Sequence, residues 1–116
     1  MKEDHFTHAP CGLTRAVGRI GSKWKPIILH VIGHRSLRFG QLDAFIPCIT
    51  RKVLTDHLKE LEQDGLIERR AFRELPPRVE YKLSRQGLLF LPILQAMQAW
   101  NADYEAALQD QLETGV

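Results

Sequence analysis

The stretch "TRKVLTDHLKELEQDGLIERRAFRELPPRVEYKLS", residues 50–84, combines two kinds of hydrophobic periodicity. Its first part repeats leucines on the helical period, at Leu54, Leu58 and Leu61. Thr50 is a good N-cap for that helix, and Gly65 is a natural C-terminal stop. Its second part alternates apolar and polar residues in two short runs separated by a double proline, which predicts strands. The stretch therefore predicts an amphipathic helix followed directly by a β-hairpin.

Helical patterns precede this stretch and follow it. One predicted helix carries Leu13, Val17 and Ile20, and a second, nearly all-round apolar helix runs between Pro26 and Gly33. The third covers "LRFGQLDAFI" and ends before Pro47, with an expected inner face of Phe39, Leu42, Phe45 and Ile46. After Ser84, a plausible N-cap, the last helix extends to about Leu112, with a kink or break expected at Pro92.

The predicted order of elements is four helices, two strands and a final helix. That order indicates a mainly α fold with a small β-hairpin, the winged helix-turn-helix arrangement. Residues 1–10 are expected to form a loose arm and residues 11–112 a single domain. Within the domain, three parts are expected: the helix-turn-helix at about 38–64, the wing at about 66–84 and the C-terminal helix at about 85–112.

Charge is distributed unevenly along the 116 residues. All 16 lysines and arginines lie in residues 1–85, beside 10 acidic residues, whereas residues 86–116 hold four acids and no base. This asymmetry indicates that the first part meets a polyanion. No apolar run is long enough to span a membrane, and the N-terminus lacks a secretory h-region. The two cysteines are too few for a disulfide scaffold and favour a reducing, cytoplasmic setting.

The helix after Thr50 has the residues that reading DNA requires. Its apolar face packs on a core, and its polar face can enter a major groove. The outward residues predicted to contact DNA are Thr50, Arg51, Lys52, Thr55 and Lys59. An arginine can pair in a bidentate manner with guanine, and threonines suit phosphates or a thymine methyl group. The hairpin adds Arg70, Arg73 and Arg78 around a stiff Pro-Pro tip, where they are expected to reach phosphate or a minor groove.

Three segments resemble the HxlR-type branch of winged-helix regulators, which is related to the MarR-like group. They are "CGLTRAVGRIGSKWKPIIL", "RFGQLDAFIPCITRKVLTDHLKELEQDGLIERR" and "PPRVEYKLSRQG". The resemblance as a whole runs from Cys11 to about Trp100. The resemblance implies a homodimer joined by its N- and C-terminal helices, with two recognition helices reading a palindromic operator. It also implies that Thr50, Arg51, Lys52, Thr55 and Arg78 face the DNA. Asp56 and His57 depart from a more basic pair that is common in the family.

Cys11 and Cys48 are candidates for a redox switch. A cysteine at the position of Cys11 is common in the family, and in some members it senses electrophiles or oxidants. Cys48 stands where members often have glycine or another small residue, and it precedes a helix whose dipole and basic residues would stabilise a thiolate. An intersubunit disulfide between Cys11 and Cys48 could reposition the two recognition helices. The alternative is two unrelated cytosolic thiols.

The final helix carries a long apolar stripe. The stripe consists of Leu94, Met97, Trp100, Tyr104, Leu108 and Leu112, and with Leu13 and Val17 it is the expected dimer interface. The alternative is that the helix folds back on its own domain. A cleft between the dimer helices and the core could hold a small-molecule effector.

Two other functional classes compete with DNA binding. Catalysis lacks support, because the sequence has no phosphate loop and no paired nucleophile and base. A winged helix used only for protein contacts is the remaining alternative, and the basic helix start and wing count against it. His5, His8 and Cys11 share a spacing that metal ligands could use, but three residues in a loose arm favour no metal. Neither a metal nor another cofactor is therefore expected.

Overall fold

Residues 11–113 form five helices and three strands in a computed structural model of the chain. In chain order these are α1 Gly12–Ile20, α2 Lys25–Ile32, β1 Ser36–Arg38, α3 Phe39–Phe45, α4 Arg51–Gln63, β2 Ile67–Phe72, β3 Arg78–Leu83 and α5 Arg85–Glu113. This confirms the mainly α winged-helix fold with its hairpin. The arm predicted at residues 1–10 lies outside the described residues.

The core is formed by helices α2, α3 and α4, by the first part of α5 and by the strands. Leu54 and Leu61 of α4 are fully buried, and Leu58 is nearly so, as the helical spacing predicts. Burying a leucine side chain stabilises a fold by about 1.5–3 kcal/mol, so this one face holds α4 firmly. The helix ends as predicted, because Gly65 takes a φ of 76°, a left-handed conformation that glycine adopts without strain.

The third helix is shorter than predicted. Leu37 belongs to β1 and is buried there, and α3 begins only at Phe39. Leu42 and Ile46 face the core, but Phe45 is 51% exposed, so its predicted inward orientation is wrong. With the partly buried Phe39, three positions of this short segment already pack on the core. The ring of Phe45 instead lies 4.9 Å from the guanidinium of Arg35.

The three strands form one antiparallel sheet in the order β1–β3–β2. The predicted hairpin is confirmed, with Ile67 opposite Leu83 at its base and Phe72 opposite Arg78 near its tip. On the other side of β3, Ser36 pairs with Lys82. Strand β1 has three residues, which is too short to show an alternating pattern, so it escaped prediction.

Helix α5 is continuous through Pro92, so the predicted break does not occur. Its start is capped by Ser84, whose hydroxyl accepts a hydrogen bond from the Gly87 N–H at 3.1 Å. Leu91 and Leu94 are buried on either side of the proline, and this packing holds the helix together across it. Although α5 has 29 residues, no helix in residues 11–113 is long and apolar enough to cross a membrane.

Candidate nucleic-acid interface

The first turn of α4 is fixed by its N-cap. The Thr50 hydroxyl accepts a hydrogen bond from the Val53 N–H at 3.1 Å, as the sequence predicts. Such a cap contributes about 1 kcal/mol to helix stability. In the structure the candidate DNA-contacting residues of this helix are all exposed and share an arc of about 100°. They are Arg51, Lys52, Thr55 and Lys59.

Two carboxylates lie beside the basic residues of this face. Asp43 of α3 accepts a hydrogen bond from Nε of Arg51 at 3.2 Å, and Asp56 accepts one from Nζ of Lys52 at 2.9 Å. The hydrogen bond to Asp56 raises the pKa of Lys52, and the same bond lowers the pKa of Asp56. Because α4 has no acidic residue in its first turn, the positive end of the helix dipole remains uncompensated within the helix.

A groove of about 410 Å³ separates α4 from the strands of the wing. It is lined by Thr55, Leu58, Lys59, Glu62, Arg69 and Tyr81. The exposed face of α4 borders the groove on one side, and the basic strand β2 borders it on the other. The helix and the wing thus form two ridges with positive side chains, which suits the curved and negatively charged surface of a duplex.

The three candidate arginines of the wing differ in their surroundings. Arg70 is exposed with its guanidinium 5.2 Å from the Phe72 ring centroid, and Arg73 is exposed at the tip. Arg78 is different, because its side chain is only 29% exposed and forms ion pairs with Glu74 and, at 2.9 Å, with Glu80. It also lies 4.0 Å from the Phe72 ring. Arg78 thus already has two anionic partners inside the wing, and its predicted contact with DNA stays a prediction.

Strand β3 of the wing is tied to β1 through Glu80. The Ser36 hydroxyl donates a hydrogen bond to Oε1 of Glu80 at 2.8 Å, and this bond is the main reason why the pKa of Glu80 is lowered. The nearby Arg78 and Arg38 add to the lowering. A carboxylate that stays ionised can hold Arg78 and Ser36 together across the sheet.

The two cysteines are both exposed and form no disulfide within the monomer. Cys11 stands at the N-cap of α1, where hydrogen bonds from the Thr14 N–H, the Thr14 hydroxyl and the Leu13 N–H lower the pKa of its thiol. Cys48 lies in the turn between α3 and α4 with a φ of 80°. Glycine adopts that left-handed conformation more readily than a residue with a side chain does.

Two of the three residues considered as metal ligands lie outside the described residues. His5 and His8 belong to the undescribed residues 1–10. Among residues 11–113, no three His, Cys, Asp or Glu side chains form a group that could hold a metal ion.

The exposed apolar stripe of α5 begins later than predicted. Leu94 is only 5% exposed and packs in the core of the monomer, so it does not lie on the exposed face. Beyond it every described residue of the helix is exposed. The large apolar side chains on this exposed part of α5 are Met97, Trp100, Tyr104, Leu108 and Leu112. On α1, Leu13 and Val17 are also exposed. Trp100 and Tyr104 stack on each other with centroids 5.2 Å apart.

A model of the HxlR-like helix-turn-helix family matches residues 19–109. The chain belongs to this family. An HTH-type transcriptional regulator of Methanothermobacter thermautotrophicus is 44% identical over 104 residues, covering 90% of this chain and 77% of the relative. The HxlR-like chain is thus a transcriptional regulator of the helix-turn-helix type.

Solved structures agree with this assignment. The reduced form of the redox regulator HypR has a TM-score of 0.80 at 32% identity, covering 86% of this chain and 99% of that one. Diamide-treated YodB from Bacillus subtilis has a TM-score of 0.70 at 35% identity, covering 84% and 97%. The winged-helix architecture described above is therefore shared with regulators of known structure.

One structural contact of this HxlR-like chain was not foreseen from its sequence. Lys25 begins α2 and is 9% exposed, and its Nζ lies 2.6 Å from Oε1 of Glu60 on α4. The available signal was a lysine directly before the most apolar helix of the chain, because a buried lysine requires an anionic partner.

Proposed function

We propose that this regulator acts as a homodimer that binds a palindromic operator in double-stranded DNA. The observation that carries the proposal is the arrangement of α4, whose leucine face is buried while its basic face is exposed beside the wing. A helix fixed in this way can enter a major groove without unfolding any part of the core. The function is one of binding rather than catalysis, and its setting is the cytoplasm, where the DNA lies.

The helix and the wing have different tasks in this proposal. Arg51, Thr55 and their neighbours on α4 contact base edges and adjacent phosphates. Arg70 and Arg73 of the wing contact phosphate or a narrow minor groove, where arginines are attracted electrostatically. Arg78 maintains the shape of the wing through Glu74 and Glu80. Sequence choice thus depends on α4, whereas much of the affinity depends on the wing.

The dimer follows from the exposed part of α5. Residues 95–113 extend for about 28 Å at 1.5 Å per residue, and none of them is buried in the monomer. An apolar stripe of that length that carries Trp100 and Tyr104 is costly to leave in water. A second copy of α5, with the exposed Leu13 and Val17 of α1, covers it. The two recognition helices then reach half-sites about one helical turn of DNA apart.

We further propose that oxidation of Cys11 and Cys48 changes DNA binding. Both thiols are exposed, Cys11 adjoins the helix that joins the dimer, and Cys48 adjoins the helix that reads DNA. Two of the similar structures belong to HypR, described as a redox regulator, and to diamide-treated YodB. In the proposed step the two thiols of different subunits lose two electrons and two protons to form one disulfide, and diamide accepts them to become the hydrazine.

The function is tested by gel-shift titration with DNA from upstream of the protein's own gene. Specific binding that weakens steeply with salt supports a DNA reader, because each phosphate contact releases counterions. Binding without a salt dependence, or no preference over an unrelated duplex, contradicts it and leaves the protein-interaction alternative. Sedimentation of the wild type and of Trp100→Glu tests the dimer, which the added charge should dissociate.

The switch is tested by the same titration with and without diamide. We expect diamide to change operator affinity in the wild type and to have no effect in Cys11→Ser or Cys48→Ser. A non-reducing gel should show a covalent dimer only in the oxidised wild type. An equal response of the wild type and both variants contradicts the switch without affecting the proposed DNA binding.

A further inference from the structure

The guanidinium of Arg51 is held from one side by a carboxylate on a different helix. Nε of Arg51 lies 3.2 Å from Oδ2 of Asp43. The two side chains differ in exposure, at 79% for Arg51 and 25% for Asp43. The arginine therefore projects into solvent, while the carboxylate that holds it is anchored closer to the protein surface.

Both ends of this bond are attached to fixed backbone. Asp43 lies on α3 next to Leu42, which is fully buried, and one turn before Ile46, which is 3% exposed. The start of α3 is capped, because the side chain of Gln41 accepts a hydrogen bond from the Arg38 N–H at 2.9 Å. Arg51 is the first residue of α4, directly after the Thr50 cap. The position of the guanidinium is thus determined by two capped helices.

The bond engages only one of the three guanidinium nitrogens. Within residues 11–113, Nη1 and Nη2 of Arg51 donate no hydrogen bond. These two donors form the fork that pairs with O6 and N7 of guanine in the major groove. A fork that is already oriented loses less side-chain entropy on binding, and this favours the bidentate geometry over a loose phosphate contact.

The negative charge of Asp43 also disfavours a contact between Arg51 and a phosphate. A phosphate that approaches Arg51 from the Asp43 side meets like charge, whereas a guanine edge presents neutral acceptors. We propose that Asp43 is a positioning residue that makes Arg51 selective for guanine in each operator half-site. This inference rests on the proposed DNA-reading function and adds a residue that itself contacts no base.

The test is a selection of binding sites from a pool of randomised duplexes by four proteins. They are the wild type, Arg51→Ala, Asp43→Ala and the double variant. We expect the wild type to select one guanine per half-site, with a preference of about five- to a hundredfold over other bases. Arg51→Ala should lose that preference. Asp43→Ala should lose most of it although Arg51 is present, and the double variant should match Arg51→Ala.

Three controls separate positioning from folding and from simple charge. Asp43→Asn retains an oxygen acceptor and should keep an intermediate guanine preference. Asp56→Asn removes the other carboxylate of this face, the partner of Lys52, and should retain the guanine preference while binding all sequences more tightly. Thermal unfolding of each variant reports on the fold, and the base preference is compared only as a ratio within each protein.

Several outcomes would overturn the inference. One is a wild-type guanine preference in Asp43→Ala. Another is a further loss of guanine preference when Asp43→Ala is added to Arg51→Ala, equal to the loss that Asp43→Ala causes in the wild type. Asp43 would then act independently of the arginine. A wild type that enriches no sequence at all overturns the DNA-reading function itself, and this inference with it.

Discussion

The ammonium group of Lys25 lies 2.6 Å from Oε1 of Glu60, at a site where the lysine side chain is 11% exposed. This ion pair joins the start of α2 to α4. Removing one partner from a buried pair leaves an uncompensated charge, which costs about 3–5 kcal/mol in fully buried cases. Glu60 is 49% exposed, so solvent screens part of the interaction and the expected cost is smaller.

We therefore expect Glu60→Ala to lower the free energy of unfolding by about 1–3 kcal/mol. Lys25→Met should cost clearly less, because the methionine removes the buried charge and keeps most of the apolar stem. Denaturant unfolding of both variants measures the difference. Equal losses in the two variants would show that the unpaired ammonium of Lys25 adds no cost of its own.

Substitution of Arg73, which is exposed at the tip of the wing, should have a different effect from substitution of the ion-paired Arg78. We expect Arg73→Ala to weaken DNA binding by a similar factor on all sequences and to flatten the salt slope by about 1, with no loss of stability. Arg78→Ala should instead speed hydrogen exchange of the β2–β3 amides, because its contacts with Glu74, Glu80 and Phe72 are lost. Titrations at several salt concentrations and exchange measurements separate the two roles. Faster exchange in Arg73→Ala than in Arg78→Ala would reverse the assignment.

Cys48 occupies a backbone conformation that glycine prefers. Its φ of 80° costs a residue with a side chain about 1–2 kcal/mol, whereas glycine loses about 0.5–1 kcal/mol more entropy on folding. We expect Cys48→Gly to be more stable than Cys48→Ala by about 0.5–1 kcal/mol, because both lack the thiol and only alanine retains the strain. Paired thermal melts of these variants under reducing conditions provide the measurement. A more stable alanine variant would mean that the turn is not strained.

Periodic sequence features predicted most of the fold. Leu54, Leu58 and Leu61 indicated the buried face of α4, and the alternation on both sides of the double proline indicated the hairpin. The failures lie where short elements or tertiary contacts decide. Strand β1 is too short to have a period, and Pro92 does not break α5, because Leu91 and Leu94 pack on both sides of it.

The candidate site was predicted less completely than the fold. The outward residues of α4 follow from helix geometry alone, and all of them are exposed. Helix geometry does not reveal which basic residues form ion pairs within the protein. Arg78, for example, meets Glu74 and Glu80 only when the hairpin has formed. The pairing of Arg51 with Asp43 likewise depends on how α3 and α4 are oriented. Local periodicity contains no information on such contacts between elements.

The thiol of Cys11 should ionise at lower pH than an ordinary cysteine. Hydrogen bonds from Thr14 and Leu13 stabilise its thiolate and lower its pKa, so the reactive form is already populated at a pH where a free thiol remains protonated. We expect the rate of iodoacetamide alkylation in a Cys48→Ser background to rise with a midpoint below the usual cysteine value. Thr14→Val removes the hydroxyl but keeps the N–H, and should return the midpoint only part of the way. A midpoint at the ordinary value in both proteins would show that these hydrogen bonds do not activate Cys11.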